Sequence, residues 1–327
     1  MIEKSAYPTI RPLFAGSEVR QLYRLDLKVG PTGVGDPDGL YTAVVVDVET
    51  TGLDRTRDVI IELAMRQFRY DDAGRITNIG RPFCWLQDPG RPLTEEIMKL
   101  TGLSDEMLKG QSMDKGLAAR ILLNADLVVA HNASFDRPRV EDAIRGGIGA
   151  AWGCSCNEID WRGFGFDGRS LGYLLAQVGY YNSAHRALAD VDSTIALLAH
   201  EMAPGRTAMA ELVERSRRRT WVVRAKGAAY EAKDELKLRG YRWDVEARVW
   251  WQEVADRAEE ESWLAANIYA PSANALALGP EWLDITNRNR WNLGPQRQST
   301  VLASPRDYIL PATPSCTEGS LGRHGPV

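Results

Sequence analysis

The sequence predicts an α/β protein in which helices cover a mixed sheet, followed by a small α+β module of βαββ order. Three strand patterns follow one another through short connections, which indicates that the sheet begins with antiparallel strands. Helical and strand patterns then alternate up to about residue 202, as expected for a sheet covered by helices. Beyond residue 217 basic and aromatic residues alternate, which indicates a separate module.

The strands of the larger domain are indicated by apolar, β-branched runs that end at turn residues. These runs cover residues 42–47, 58–69, 76–86 and 126–131. Residues 71–74, Asp-Asp-Ala-Gly, supply a hairpin turn between the second and third strands. Apolar residues at helical spacing predict helices at 94–100, 104–109, 114–124, 134–145, 169–178 and 187–201.

Shifts in composition divide the chain into four regions. They are a proline-rich N-terminal extension (1–38), the α/β domain (39–204), a linker helix with the βαββ module (205–269) and a tail (270–327). Module strands are predicted at 220–225, 241–243 and 247–253, and module helices at 228–238 and 256–268. The tail is rich in Pro, Asn, Ser and Gly, so we expect little regular structure, although residues 280–293 could dock on a domain.

Charge and cysteine content limit the class of protein. The formal net charge of −4 does not by itself require a polyanionic partner, although a local cleft can be cationic in an acidic protein. Cys84, Cys154, Cys156 and Cys316 lack the spacing of a zinc site, so we expect free thiols in a reducing compartment. No apolar run approaches the ~20 residues of a membrane span, and the N-terminus lacks a secretory signal. We therefore expect a cytoplasmic protein without a membrane partner.

Two acidic residues, Asp47 and Glu49, stand at the end of the apolar strand at 42–47. Residues two apart in a strand point to the same face, so their carboxylates lie side by side. Two neighbouring carboxylates repel each other, and burial raises their pKa values. A Mg²⁺ ion relieves that cost, because it binds through a few carboxylates, waters and substrate phosphates. The alternative is a solvated strand end, and the pair alone does not decide between them.

Further acids stand at comparable places. Asp136 lies at the start of a helix after the strand at 126–131, where the helix dipole alone often accounts for an acid. His185 and Asp190 lie five residues apart, across the junction between a loop and the helix at 187–201. The chain contains only four histidines, and one of them precedes a helix acid. Together with the strand pair, these residues predict one shared acidic site.

Three motifs resemble those of the DEDD exonuclease superfamily in its histidine subtype. They are DVETTG at 47–52, HNASFD at 131–136 and HRALAD at 185–190, and they occur in the same order as in that family. The chain is similar over roughly residues 40–202 to the group that includes the proofreading epsilon subunit of bacterial DNA polymerase III. The resemblance implies a ribonuclease H-like fold for this domain.

The resemblance also implies roles for the acidic residues and for His185. Asp47, Glu49, Asp136 and Asp190 would ligate two Mg²⁺ ions, for which Mn²⁺ would substitute. Two such ions stabilise the attacking and leaving oxygens of a phosphodiester. His185 would act as general base, since a histidine with a pKa near 6.5 accepts a proton near neutral pH.

The resemblance assigns substrate contacts less directly. Thr50 and Thr51 correspond to the segment that holds the terminal nucleotide, Phe135 to a residue that packs on its sugar or base, and Asn132 to a residue that orients the turn or contacts substrate. Thr101 stands where a histidine is frequent in the family, so its contact with the terminal nucleotide is in question. Phe135 could equally belong to the core at the start of its helix. Asp160 is better explained as a structural acid than as a further ligand.

Two interpretations remain open for the module at 217–254. Its basic residues, interleaved with Trp221, Tyr230, Tyr241, Trp243, Trp250 and Trp251, suit single-stranded nucleic acid, whose bases stack on rings and whose phosphates meet cations. A small module also needs bulky aromatic residues for its own core. The sequence does not decide between them.

The activity that the resemblance implies is metal-dependent 3′–5′ exonuclease cleavage of single-stranded or frayed DNA, with release of 5′-mononucleotides in proofreading or repair. The partner would be nucleic acid with a free 3′ end, and proofreading would also require a DNA polymerase or repair partner. One alternative is a 3′ exonuclease acting on RNA, because nothing in the motifs reads a 2′-hydroxyl. The other is a nucleic-acid-binding protein with a silent nuclease domain.

Overall fold

The computed structural model describes residues 21–182, 186–245, 247–269 and 279–292. Its strands are β1 Tyr23–Arg24, β2 Gly30–Pro31, β3 Tyr41–Thr50, β4 Ile60–Tyr70, β5 Ile76–Leu86, β6 Leu127–Ala130, β7 Trp152–Cys154, β8 Tyr180–Tyr181, β9 Glu201–Ala203, β10 Arg206–Thr207, β11 Thr220–Arg224, β12 Arg242–Asp244, β13 Val249–Val254 and β14 Glu281–Ile285. Its α-helices are α1 Glu95–Thr101, α2 Asp105–Leu108, α3 Lys115–Leu123, α4 Ala133–Ala143, α5 Leu171–Gln177, α6 Ala187–Ala199, α7 Ala208–Ser216, α8 Lys233–Arg239 and α9 Arg257–Leu264. Short 3-10 turns lie at Arg145–Gly147, Tyr230–Ala232 and Arg290–Asn292, and a π-helical turn at Ala265–Tyr269 follows α9.

The main sheet has the strand order β2-β5-β4-β3-β6-β7 over the described ranges. The first four strands run antiparallel to their neighbours, whereas β6 is parallel to β3 and β7 is parallel to β6. This arrangement confirms the predicted mixed sheet with an antiparallel beginning. Strand β7 was not predicted, because three residues are too few to display a period.

Helices cover both faces of the main sheet. On one face, Ala43 and Val45 of β3 pack with Val191 and Ile195 of α6 in a core to which α5 and α7 also contribute. On the other face, alternate β3 residues pack with Ala118 and Ile121 of α3, and with residues of α4, in a second core. The strand β3 therefore lies in the centre of an α/β/α sandwich, and its C-terminal end opens between α4 and α6.

Helix α7, which we predicted as the linker helix before the module, packs on the core of this sandwich. Its Met209 and Leu212 are fully buried in the same core as α6. Gly74 of the β4–β5 turn has a φ of +72°, and a Cβ there would lie 2.5 Å from the backbone nitrogen of Ala210. The hydroxyl of Thr207 donates to the carbonyl of Gly74 at 2.7 Å. The turn and α7 are thus fitted closely to each other, and we place α7 with the larger domain.

The N-terminal extension lies on the larger domain over its described part, residues 21–38. Strand β1 pairs with β8, and β2 pairs with the edge strand β5. Leu25 and Leu27 pack against the core that contains α6. Residues 1–20 lie outside the described residues.

The C-terminal module contains an antiparallel sheet of order β12-β13-β11-β14, with α8 and α9 packed on one face. The predicted βαββ order is present, and one strand was missed. Strand β14 pairs with β11 and lies in the region that we predicted to be a poorly structured tail, so that prediction is corrected for Glu281–Ile285. Without β14, β11 would be an edge strand with unpaired backbone groups, and its pairing with β14 satisfies them.

Residues 286–292, which we call the C-terminal strap, follow β14 and lie on the larger domain. The carbonyl of Asn287 accepts from the backbone N–H of Trp152 at 2.8 Å and from the guanidinium of Arg137, on α4, at 3.1 Å. Arg290 is ion-paired with Glu158 at 2.7 Å, and both side chains are almost fully buried. Trp291 packs against the core that contains α4. The strap therefore joins the module to α4, the helix that carries Asp136.

None of the helices in the described ranges combines the length and the apolar character that crossing a membrane would require. Cys84, Cys154 and Cys156 are free thiols, and Cys316 lies outside the described residues.

Candidate active site

Asp47 and Glu49 extend the face of β3 that packs against α6. Val44, Val46 and Val48 point to the core of the α3 and α4 layer, and the alternating residues point the other way. The apolar side chains of that second face end at Val45, and the two carboxylates continue it. The predicted side-by-side arrangement follows directly from this alternation.

Asp190 meets this pair from the first turn of α6. Carboxylate oxygens of Asp47, Glu49 and Asp190 all lie within 4.8 Å of one another. The helix is held there because Val191 and Ile195, on its apolar face, are buried against the sheet. Three carboxylates at this separation form a set of hard oxygen donors that fits a divalent cation such as Mg²⁺.

Asp136 approaches from the opposite layer. It lies in the first turn of α4 and is buried. Its carboxylate accepts a hydrogen bond from the backbone N–H of Val48, the residue between Asp47 and Glu49. Asp136 is therefore beside the strand acids, although it is not one of the three carboxylates within 4.8 Å of one another.

The electrostatics of the site favour a bound cation. Burial raises the pKa of Asp47 well above its ordinary value, and the charges of Asp136, Asp190 and Glu49 raise it further. Burial, followed by the charges of Asp190 and Glu62, raises the pKa of Glu49 to about 7. Burial also raises the pKa of Asp136, which the Val48 N–H partly offsets. These carboxylates repel one another when ionised, and a cation among them would remove that repulsion.

Glu62 is a site residue that the sequence reasoning missed. It stands directly opposite Glu49 on β4 and is 1% exposed. Its carboxylate accepts hydrogen bonds from Arg186 at 3.1 and 3.3 Å and from the backbone N–H of Ala187 at 3.2 Å. Glu62 thereby fixes the beginning of α6, one turn before Asp190. The available signal was an acid inside an apolar stretch, between Ile61 and Leu63, because a buried charge requires partners.

His185 lies outside the described residues, so its predicted role stays a prediction. His131, which the resemblance places in the second motif, has both ring nitrogens occupied. Its Nδ1 is 2.9 Å from the Ser155 hydroxyl and its Nε2 is 2.8 Å from the carbonyl of Arg169. Burial lowers the pKa of His131 to about 4. This histidine is a structural residue and is not placed to serve as an alternative base.

The predicted substrate residues around the site differ in their availability. Thr50 is buried and its hydroxyl donates to the carbonyl of Gly52 at 2.6 Å, so it shapes the turn after β3. The hydroxyl of Thr51 donates to Asp58 at 3.0 Å. Asn132 is exposed at the N-terminus of α4, where its side-chain oxygen accepts from the Ser134 hydroxyl. Their nucleotide contacts stay predictions.

Phe135 and Thr101 are further predicted contacts. Phe135 is half-buried, packs against the core of the α4 layer, and has the Arg139 guanidinium 3.7 Å from its ring centroid. Thr101 is only 2% exposed, and its hydroxyl donates to the carbonyl of Ile97 at 2.9 Å at the end of α1. This burial weighs against a contact between Thr101 and a nucleotide.

Two acids near the motifs have structural partners. Asp160 is exposed and accepts from the backbone N–H of Gly163, in agreement with the structural role that we preferred. Asp192, two residues after Asp190, is mostly buried and ion-paired with Arg66 at 2.8 Å. Neither belongs to the cluster of three carboxylates.

A cluster of carboxylates at the end of a central strand, in a mixed sheet flanked by helices, is an arrangement typical of nucleases that use divalent cations. Residues 44–198 match the model of the exonuclease family RNase_T. The match covers somewhat less than half of the chain, and it confirms the predicted recognition for the larger domain, which is similar to that exonuclease family.

Curated relatives are similar to part of this domain. The chain is 42% identical over 97 residues to the PolC-type DNA polymerase III of Bacillus subtilis. The matched stretch covers 29% of this chain and 6% of the polymerase. It is 30% identical over 141 residues to the PolC-type enzyme of Lacticaseibacillus paracasei. Here the matched stretch covers 40% of this chain and 9% of that enzyme. The chain thus spans less than a tenth of the length of these relatives.

Solved structures with a similar arrangement include two exonucleases. An exonuclease X bound to 5′-overhanging duplex DNA is 25% identical, with a TM-score of 0.39 over 52% of this chain and 98% of that one. An Escherichia coli exonuclease I bound to a dA16 oligonucleotide is 17% identical, with a TM-score of 0.41 over 57% of this chain and 49% of that one. Both scores are low, so the fold assignment depends on the strand order and on the family match.

Proposed function

We propose that this protein is a 3′–5′ exonuclease that hydrolyses single-stranded or frayed DNA and releases 5′-mononucleotides. The observation that carries the proposal is the convergence of Asp47, Glu49 and Asp190 within 4.8 Å, with Asp136 beside them, in a domain of an exonuclease family. Acids that raise one another's pKa at the end of a sheet destabilise the chain unless a cation binds there. Such a cost is expected at a functional site.

Asp47, Glu49, Asp136 and Asp190 are proposed to hold two Mg²⁺ ions, for which Mn²⁺ would substitute. Such ions, when bound, supply positive charge to the attacking and leaving oxygens of a phosphodiester. The four carboxylates hold their places through β3, α4 and α6, and Glu62 fixes the start of α6. This support limits how far the acids can separate when they repel one another.

His185 is proposed to accept the proton of the attacking water. The support is its place in the motif five residues before Asp190 and the ordinary pKa of a histidine near neutral pH. His131, the histidine of the second motif, has both ring nitrogens engaged, which supports His185 over His131 as the base. Replacement of His185 by Ala should lower kcat by about 10²–10⁴-fold, the usual contribution of a general base.

The preference for DNA is proposed from the family and from the relatives, which include PolC-type DNA polymerases and a DNA-bound exonuclease X. The same relatives support proofreading or repair as the setting, in which a DNA polymerase or repair protein would be the partner. The substrate is therefore the first property to test.

The test compares DNA and RNA oligonucleotides of one sequence, each labelled at the 5′ or the 3′ end, with Mg²⁺, with Mn²⁺ and with EDTA. The expected result is loss of a 3′ label as mononucleotide and a ladder of shortened 5′-labelled DNA, both dependent on metal. Asp47→Asn should abolish hydrolysis, and Asp160→Asn, which removes an exposed acid outside the cluster, should not.

Other results would redirect the proposal. Faster cleavage of RNA than of DNA would assign an RNA 3′ exonuclease. Binding of oligonucleotides without hydrolysis in either metal would indicate a nucleic-acid-binding protein with a silent nuclease domain. Full activity of Asp47→Asn would refute the assignment of the site.

A further inference from the structure

A strip of aromatic and lysine side chains runs across the C-terminal module, outside the acidic site. It begins at Tyr230, where the Lys233 ammonium lies 4.4 Å from the ring centroid and donates to the phenol oxygen at 3.1 Å. Lys237 follows one turn later on the same face of α8. Its ammonium lies 5.9 Å from the centroid of Trp250, which in turn makes an edge contact with Trp243 at 5.4 Å. We call these five residues the aromatic–lysine strip.

The ends of the strip are exposed beyond what a core requires. Tyr230 is 75% exposed and Trp243 is 46% exposed, whereas Trp250 is partly buried against the core of the module. Tyr241 and Val223 fill that core instead, at 3% and 0% exposure. The core interpretation of the module therefore applies to Tyr241 and to part of Trp250. Tyr230 and Trp243 face solvent, so they are free to bind a partner.

The charge of the strip also differs from that of the surrounding surface. Arg219, Arg224 and Arg239 are ion-paired with acids of β14 and α9. Lys237 has a weak, exposed contact of 3.9 Å with Asp234, and the ammonium of Lys233 faces the Tyr230 ring. Among the described residues Lys233 has no ion pair within 4.0 Å and Lys237 has only this contact, so both ammonium groups can meet an external anion.

We propose that the aromatic–lysine strip binds single-stranded nucleic acid, with bases stacked on Tyr230 and Trp243 and phosphates held by Lys233 and Lys237. Two cations between an exposed ring at one end and a pair of rings at the other suit a single strand, because every base has a face that can stack and every linkage carries a negative charge. A protein partner would not need cations arranged between rings. The binding itself is independent of hydrolysis, and only its purpose, to retain the strand being degraded, rests on the proposed function.

Binding is tested with the full chain in EDTA, which prevents hydrolysis. The probe is a 5′-fluorescein oligothymidylate of about thirty nucleotides, longer than one strip can cover, and the readout is fluorescence anisotropy. Tyr230→Ala and Trp243→Ala should each weaken binding about tenfold, the order expected for loss of one stacked base. Trp243→Phe should restore most of the affinity, because it keeps a ring.

The lysines are tested through the salt dependence of binding. Replacement of both Lys233 and Lys237 by Gln should lower the slope of log K against log salt concentration by about 1.4, at about 0.7 per phosphate contact in a single strand. Leu238→Ala is the matched control on the same helix, because Leu238 is 84% exposed and lies outside the strip. Replacement of both Lys99 and Lys115, exposed lysines of the larger domain, by Gln controls for the loss of two charges.

The outcomes separate this proposal from the proposed function. If the strip variants bind oligothymidylate as tightly as the unaltered protein, the proposal is refuted, and a protein partner becomes the better explanation of the exposed rings. Should Trp243→Ala fail to fold by circular dichroism, Tyr230→Ala and the double lysine variant decide, because they alter surface residues. Absence of hydrolysis in Mg²⁺ would refute the nuclease assignment and leave the binding result standing.

Discussion

The acidic site and the aromatic–lysine strip are built in opposite ways. The acids come from three elements far apart in the sequence, β3, α4 and α6, and are mostly withdrawn from water. The strip comes from residues 230–250 of one small module, and its cations and outer rings face solvent. Burial makes like charges costly, so the acidic site depends on the whole sandwich to hold it. Exposed cations have little such cost, so the strip needs only local structure.

The largest expected effect is that of Asp47→Asn in the acidic site. Activity should fall below detection, and the melting temperature in EDTA should rise, because the change removes one charge from a repelling cluster. Thermal unfolding by circular dichroism, with Asp160→Asn as control, measures the second effect. A lowered melting temperature in EDTA would mean that the acids stabilise the fold and that the cluster is not strained.

Glu62 should give the next largest effect. Glu62→Ala removes the acceptor of the Arg186 guanidinium and of the Ala187 N–H, so the start of α6 and Asp190 lose their support. We expect a 10- to 100-fold loss of Mg²⁺ affinity or kcat, about the usual effect of removing an outer partner of a metal ligand. Glu62→Gln keeps one acceptor oxygen and should recover part of the loss. A variant with unchanged magnesium dependence would show that α6 is held without Glu62.

The acidic site should also make the folding stability depend on pH. The pKa of Glu49 is raised from its ordinary value of 4.5 to about 7, so the folded chain binds its proton more tightly than the unfolded chain. The protonated Glu49 side chain therefore contributes to folding stability below pH 4.5, and this contribution is lost as the pH rises through about 7. Urea unfolding in EDTA should show this fall, and Mg²⁺ should reduce it. A flat profile in EDTA would contradict the assigned cause.

The smallest effect is expected for the stability of the strip variants. Trp243→Ala removes a ring that is 46% exposed, so the free energy of unfolding should drop by about 1 kcal/mol or less. Urea unfolding measures it, and Val223→Ala, at a fully buried position, is the control with a larger expected loss. A loss for Trp243→Ala as large as for Val223→Ala would show that the ring serves the core.

Local patterns predicted the parts of the site that depend on local geometry. Alternation along β3 was enough to place Asp47 and Glu49 side by side, and the predicted helix at 187–201 was enough to place Asp190 in its first turn. The bounds of β4 and β5 agree closely with the predicted strands, whereas β3 continues three residues beyond its predicted end and includes Glu49.

The missed features depend on partners distant in the sequence. Glu62 acquires its role from Arg186, which lies 124 residues away, and no local period could reveal that pair. Strand β14 forms because its edge meets β11, about sixty residues earlier, although its own composition indicates a loose tail. The packing of α7 on the core with α6 was also not foreseen, because Met209 and Leu212 meet partners far away in the sequence.

The C-terminal strap has a practical consequence for dissecting this protein. Removing everything after residue 217 would take away the module and also the carbonyl of Asn287 that meets Trp152 and Arg137, and it would leave buried Glu158 without its arginine. A shortened chain intended to isolate the nuclease would then lose activity for reasons unrelated to nucleic-acid binding. Point substitutions, or a cut placed after residue 292, keep the catalytic half intact.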